Sequence, residues 1–467
     1  MVNDSSAWAG RDELLAEAAR RARRYVDSVD RRPVAPAPAA LVGLDRFDEP
    51  LPEHSSDPLE TLSLLDEAGS DATVATTGPR YFGFVNGGTL PIALASGWLG
   101  MAWDQNAALP VMSPVAAHLH EVTRNWLVQL FGLPYTSEAA LVTGATMANV
   151  TALTAARDHQ LARLGWDVQR QGMSGAPVLT VVAGDKSHST LFKALGLIGL
   201  GRDQVRRVPA DDQGRMRAEL LPHINGPVIV CTQAGEVNTG AFDPFPQIVA
   251  WAREHDAWLH VDGAFGMWAL ADPARQHLVT GLTEADSWAT DAHKWLNVSY
   301  DSGIVFVRNA EYLRRSFASV ADYLPPDNGF EAMHHTPQSS QRARQIEIWA
   351  VLRCLGRAGI AKLVANACRQ ARRISDALAR AGLEILNEVV LNQVLVVAGS
   401  DETTTRLITA VQTDGTCWCG PTHWNGRIAM RISVSGWNTT DEDADRSTGV
   451  ILHCARQIAA LPAPGHY

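Results

Sequence analysis

Between residues 177 and 308 the chain alternates short, almost wholly apolar runs with helix-periodic segments, and no other feature constrains its fold as tightly. Strand-like runs at 177–184, 205–209, 227–234, 257–262 and 303–308 are separated by helical patterns at 189–197, 218–224 and 246–255. Runs without a polar face suit strands covered on both sides. Their alternation with helices predicts an α/β fold with a mostly parallel sheet flanked by helices. Ligands of such sheets bind at the carboxyl ends of the strands. The polar residues at those ends are therefore the first candidates: His188 after one strand, Asp262 at the end of another, and Lys294 after a β-rich run that begins at Asp286.

Lys294 follows His293 and precedes Trp295-Leu296, a setting that can hold the lysine on rigid backbone and partly desolvate it. Desolvation disfavours the ammonium, so the free amine that attacks an aldehyde becomes accessible near neutral pH. A lysine in a surface loop is the bland alternative. Asp262 ends the run Trp258-Leu-His-Val-Asp262. A carboxylate there can pair with the protonated ring nitrogen of a heterocycle, and the small Ala264 lets a flat ring lie against the backbone. The two sites together suit pyridoxal phosphate. Upstream, Gly144-Ala145-Thr146 opens the helical pattern at 147–164. Small residues at a helix start let backbone N–H groups and the helix dipole meet a phosphate.

The sequences His260-Val-Asp262-Gly-Ala264 and Asp291-Ala-His293-Lys294 resemble the His-Val-Asp-x-Ala and Asp/Asn-x-His-Lys signatures of the group II pyridoxal-dependent amino-acid decarboxylases, over residues 78–437. The resemblance implies a fold-type-I pyridoxal-phosphate enzyme. Its parts would be an N-terminal helical arm and linker (1–76), a large cofactor-binding domain with a seven-stranded-type sheet (77–350) and a small C-terminal α+β domain (351–467). It also implies a cofactor shell of Gly144, Ala145, Thr146, His188, Asp262, Ala264, Asp291, His293 and Lys294. Lys294, His188 and the loop residue Tyr323 would be catalytic. Phe82 and Phe84 would line the substrate pocket, and the protein would be a homodimer with shared active sites. The reaction implied is decarboxylation of an L-amino acid, aromatic or medium apolar by preference, to a primary amine and carbon dioxide. Transamination, aldehyde formation, a lyase reaction and a pyridoxal-phosphate-binding pseudoenzyme are the alternatives. Glu236 departs from the family's usual Gly-Thr-Thr or Gly-Asn-Val. Its carboxylate would meet a cationic partner or solvent. Arg431 would anchor a substrate carboxylate, and Arg342 and Arg344 match an arginine pair only loosely.

Composition removes competing partners. With a net charge of −10 spread along 467 residues there is no basic face for nucleic acid. The six cysteines show no framework spacing and no metal-site pattern, as expected of reduced thiols. A polar start without a basic-then-apolar layout points to the cytoplasm. The uncharged stretch 81–103 is long enough to span a bilayer, but its five glycines, Asn86, Thr89 and Pro91 favour a buried globular segment over a membrane span. A helix is expected at 11–29 with its arginine cluster on a solvated face. An extended proline-rich linker at 33–58, a short helix at 59–67 and helices at 121–131, 310–319 and 339–356 complete the expectation.

Overall fold

The computed structural model of the chain describes residues 10–319 and 330–460. Its larger sheet has seven strands: β1 (Glu138–Val142), β2 (Thr180–Gly184), β3 (Arg206–Val208), β4 (Val228–Gln233), β5 (Trp258–Asp262), β6 (Ser287–Asp291) and β7 (Gly303–Val307). They lie in the order β1-β7-β6-β5-β4-β2-β3. Neighbours from β3 to β6 pair in parallel, and β7 runs antiparallel to both β6 and β1. Every residue of β4, β5, β6 and β7 is buried, and the mostly apolar β4, β5 and β7 accordingly read as near-continuous apolar runs rather than alternating ones. β1 and β6 add to the five strands read from the alternation.

Helices cover the sheet, and their ends follow local chemistry. The helix Pro114–Phe131 starts earlier than its apolar period suggests, because Pro114 fits the first helical position and Ser113 Oγ caps the Ala116 N–H at 3.3 Å. The helical pattern at 218–224 yields only one 3-10 turn, Ala218–Leu220. Pro222 disfavours the α conformation in the residue before it and ends the segment. The helix expected at 339–356 instead begins at Gln345 and runs to Arg380, with a break at Gly356 (φ 59°, ψ 178°) that glycine alone adopts without strain. The proline-rich linker is not wholly extended. It holds the short helix Pro38–Val42, again with proline at the first position, and the 3-10 turn Gly43–Phe47.

The N-terminal helix Arg11–Ser28 buries no residue. It docks on the helix Pro58–Gly69 through Arg21 Nη1, 2.8 Å from Asp66 Oδ2, and Arg24 reaches the same carboxylate. Two arginines of the cluster therefore bridge helices instead of facing water alone. In the uncharged stretch only Pro91–Trp103 is helical, and among the described residues no helix is long and apolar enough to cross a membrane.

A smaller antiparallel sheet follows: β8 (Glu384–Ile385), β9 (Gln393–Val397), β10 (Gly420–Trp424) and β11 (Arg427–Ser433), ordered β10-β11-β9-β8. Asn425 and Gly426, at φ 47° and 79°, join β10 to β11 in the tight turn that an Asn-Gly pair favours. The sheet encloses a second core around Phe82, Val394, Val396, Met430 and Ile432.

Candidate functional site

The carboxyl ends of β1, β2, β4, β5 and β6 surround a cavity of about 430 Å³. All nine residues of the expected cofactor shell stand in its wall: Gly144, Ala145, Thr146, His188, Asp262, Ala264, Asp291, His293 and Lys294.

Lys294 sits on a single helical turn, Ala292–Trp295, that continues β6. Its Nζ lies 3.1 Å from Asp291 Oδ2, and about a fifth of the side chain (21%) is exposed. The turn is held from outside by Asn297, whose Nδ2 donates to the carbonyls of Lys294, Trp295 and Ser435. Asn297 Oδ1 accepts from the Gly88 and Trp437 N–H groups at 2.7 and 3.0 Å. Gly87 passes so close that a Cβ there would lie 1.9 Å from the Lys294 carbonyl oxygen. Neither Gly87 nor Asn297 carries a sequence signal of this role beyond the unusual Asn-Gly-Gly at 86–88.

Asp262 is nearly buried, and both of its oxygens are engaged. Oδ1 accepts from the Ala264 N–H at 3.2 Å and Oδ2 from Asn149 Nδ2 at 2.9 Å. Asn149 lies on the helix Ala145–Ala162, and its Oδ1 is 3.0 Å from His260 Nε2. Complete burial pushes the His260 imidazole down to about 3. Sequence reading passed over Asn149, although a polar residue within an apolar helical face was the signal available.

His188 serves two purposes. It caps the helix Ser189–Leu197, with Nδ1 accepting the Thr190 N–H at 3.3 Å, and its ring also stands in the cavity wall. Burial lowers its pKa, Asp262 opposes that shift, and Lys294 and Arg431 reinforce it. Because Nδ1 accepts the Thr190 N–H, the neutral ring carries its hydrogen on Nε2. His293 is likewise lowered by burial, and its Nδ1 accepts the Ser302 N–H at 3.1 Å.

The start of the helix Ala145–Ala162 has no side-chain cap. Ala145 N–H donates to Asp291 Oδ1 at 2.5 Å, and the first intrahelical bond comes only at Ala148, to the Gly144 carbonyl. Thr146 and Met147 line the cavity, and their N–H groups belong to the first turn that a helix leaves without internal acceptors. A Cβ on Gly144 would come 3.2 Å from the His293 ring and 3.4 Å from Asp291 Oδ1, so one of these groups would have to shift to admit it. These features fit pyridoxal phosphate: an uncapped helix start for the phosphate, a buried carboxylate for the ring nitrogen and a lysine amine for the aldehyde. Among the described residues no cluster of three or more histidine, cysteine or acidic side chains could hold a metal ion.

The expected substrate contacts are placed differently. Phe82 is 1% exposed and belongs to the second core. Its backbone is pinned between Trp418 and Ser433, which turns the ring inward. Phe84 is 62% exposed and stacks on Trp418 with ring centroids 5.5 Å apart. Neither lines the cavity, whereas Phe265 and Tyr300 do. Tyr323 lies outside the described residues. Glu236 is cut off from solvent and, among the described residues, forms no direct ion pair; the charge of Arg431 acts on it only from a longer distance. Its buried carboxylate accepts the N–H groups of Asn238 and Thr239 at 2.7 and 2.8 Å, so it caps its own loop. Arg431 reaches the same loop through two long contacts of 3.4 Å, to the Val237 carbonyl and Asn238 Oδ1. Arg342 pairs with Glu347 at 2.8 Å and Arg344 with Asp301 at 3.0 Å, so neither is a purely solvated side chain.

Residues 52–397 match the family model described as the pyridoxal-dependent decarboxylase conserved domain. The chain is 25% identical over 442 residues to an aromatic-L-amino-acid decarboxylase from Bacillus atrophaeus, covering 90% of each. It is 27% identical over 441 residues to an L-2,4-diaminobutyrate decarboxylase from Rhizobium meliloti (strain 1021), covering 90% of this chain and 86% of that one. The crystal structure of Oryza sativa TDC with PLP and tryptamine superposes with a TM-score of 0.88 at 21% identity, covering 98% of this chain and 99% of that one. At that identity the likeness speaks for the fold.

Proposed function

The chain belongs to the pyridoxal-dependent decarboxylase family, and on that premise we propose that it removes the α-carboxylate of an aromatic or medium-sized apolar L-amino acid, releasing carbon dioxide and a primary amine. The carrying observation is that Lys294, Asp262, His188 and an uncapped helix start converge on one cavity. Bound there, pyridoxal phosphate supplies an electron sink for the bond that breaks at the substrate's α carbon. The residues of the chain do the rest. The first turn of Ala145–Ala162 would hold the phosphate, and Lys294 would supply the amine that holds the cofactor's aldehyde carbon. Asp262, with an N–H donor on each oxygen, would accept a hydrogen bond from the ring N–H and so keep that nitrogen protonated.

His188 presents its Nε2 hydrogen to the carboxylate end of the substrate, and Arg431 adds a positive charge that acts on His188. Tyr323 keeps its proposed part, returning a proton to the α carbon. Phe265 and Val237 make part of the wall apolar, which limits water. The homodimer is part of the same reading. Trp98, Leu99, Met101 and Trp103 of one helix are 43 to 69% exposed, and Leu15, Val26 and Leu65 add further exposed apolar surface. Patches of this kind mark a surface that is covered in the working protein. A cytoplasmic location accords with the six free cysteines.

The test is a panel of carboxyl-labelled L-amino acids given to the cofactor-loaded protein, with labelled carbon dioxide and the organic product followed together. Labelled gas with the matching amine supports the reading and names the substrate. A keto acid with the label retained would overturn it in favour of transamination.

A further inference from the structure

Four side chains behind Asp262 form an unbroken hydrogen-bonded line. Trp258 Nε1 lies 2.8 Å from Ser287 Oγ, Ser287 Oγ 2.9 Å from His260 Nδ1, and His260 Nε2 3.0 Å from Asn149 Oδ1. Asn149 Nδ2 then lies 2.9 Å from Asp262 Oδ2. Trp258 is 2% exposed, Asp262 is 6% exposed, and the three residues between them are fully buried. Water has no access to rearrange such a line, so its hydrogens must be satisfied from within.

The polarity of the line is fixed from both ends. An indole nitrogen only donates, so Ser287 Oγ accepts from Trp258 and has its own hydrogen left for His260 Nδ1. That makes His260 the Nε2–H tautomer, which donates to Asn149 Oδ1 and turns the amide so that its NH₂ meets Asp262. In the reversed arrangement His260 Nδ1–H would point at Ser287, whose hydroxyl hydrogen would then have no acceptor in the line. Asn149 would also present its oxygen to the Asp262 carboxylate, acceptor against acceptor. Only a protonated Asp262 could tolerate that. The line therefore favours the carboxylate over the carboxylic acid.

We infer that Trp258, Ser287, His260 and Asn149 are positioning residues that hold Asp262 as an oriented carboxylate facing the ring nitrogen of pyridoxal phosphate. The inference rests on the proposed pairing of Asp262 with that nitrogen. It assigns work to residues that touch neither cofactor nor substrate, and it explains why a strand so apolar carries a histidine two residues before its aspartate.

The test compares affinities of the cofactor-resolved, full-length protein for pyridoxal phosphate and for its carbocyclic analogue, in which C–H replaces the ring nitrogen. Both are measured by quenching of intrinsic fluorescence. Ser287→Ala and Asn149→Leu are expected to weaken pyridoxal phosphate roughly tenfold while leaving the analogue unchanged. Ser287→Thr, which keeps the hydroxyl, is expected to restore the difference. Melting curves of the cofactor-free variants show that each is folded, and Ser287→Ala removes so little volume that it serves if Asn149→Leu fails. Asp262→Asn separates the two levels of the argument. If it abolishes the preference for pyridoxal phosphate while Ser287→Ala does not, the positioning line is refuted and the pairing stands. If Asp262→Asn keeps the preference, the pairing itself is wrong and the inference falls with it. Equal losses for both ligands in Ser287→Ala would reduce the line to a structural role and overturn it as well.

Discussion

The floor of the cavity and its mouth are built by different rules. On the floor, Asp262, Asp291 and His188 each have two or more polar partners, and the turn carrying Lys294 is fixed by Asn297 and Gly87. These groups hang on the ends of strands buried on both faces, so sheet register sets where each side chain stands. At the mouth, Tyr300 is more than half exposed and is held by ring contact with His293; Phe84, outside the cavity wall, is also more than half exposed and stacks on Trp418. The ring that meets Phe84 comes from more than three hundred positions away, next to the smaller sheet. A floor over-determined in this way suits chemistry that does not depend on the substrate side chain. A looser mouth leaves substrate choice free to vary.

Removing the amine from the floor should have the largest effect. Lys294→Ala is expected to lose activity by on the order of 10³-fold or more toward every amino acid, with a melting temperature close to that of the parent. Steady-state assays on the full substrate panel check this. A loss confined to some substrates would break the division between floor and mouth. Next comes Gly87→Ala, which forces a methyl group against the Lys294 carbonyl. Overpacking of this kind costs about 1–3 kcal/mol. Thermal melting with and without pyridoxal phosphate should show lower stability and weaker stabilisation by the cofactor.

The same division explains what was legible in the sequence. Lys294, Asp262, His188 and the Gly144-Ala145-Thr146 turn follow strands or open a helix, so alternation and local signatures locate them, and all of them stand in one cavity. For Phe82 and Phe84 the sequence does not separate core from pocket, because an aromatic residue reads alike in both. Which it becomes depends on the pairing of residue 81 with Trp418, more than three hundred positions away. Glu236 was equally opaque, since its partners are the N–H groups of its own loop, a local cap that looks like an unspent charge. Asn149 and Ser287 act only through contacts distant in the chain: Asn149 with Asp262, more than a hundred positions away, and Ser287 with His260 and Trp258, twenty-seven and twenty-nine positions away.

A smaller effect should distinguish floor from mouth by pH. His260 is held near 3 in the folded protein, far below the ordinary histidine value, so the unfolded chain binds the proton first on acidification. Its neutral burial therefore contributes stability that is complete above about pH 6.5 and is lost as pH falls toward about 3. Asp243, raised by burial to about 6, acts with the opposite sign and loses its contribution as pH rises through that value, but it is present in both proteins compared. Urea midpoints at neutral pH and at about pH 4.5 should therefore fall further in the parent than in His260→Gln. Equal falls would mean that this histidine is not neutral in the folded state.

The smallest effect is expected outside the cavity wall, from Phe84→Gly. Phe84 has φ 53°, in the left-handed region that glycine adopts freely, so the substitution relieves backbone strain while it removes the stack on Trp418. The two contributions are each about 1 kcal/mol and opposite in sign, so the melting temperature should hardly move. If the mouth selects substrates, KM should rise a few-fold for aromatic amino acids and stay level for small ones, with kcat unchanged for both. A uniform drop in kcat would instead tie Phe84 to the chemistry, and the exposed ring would have to be counted with the floor despite its distance from the cavity wall.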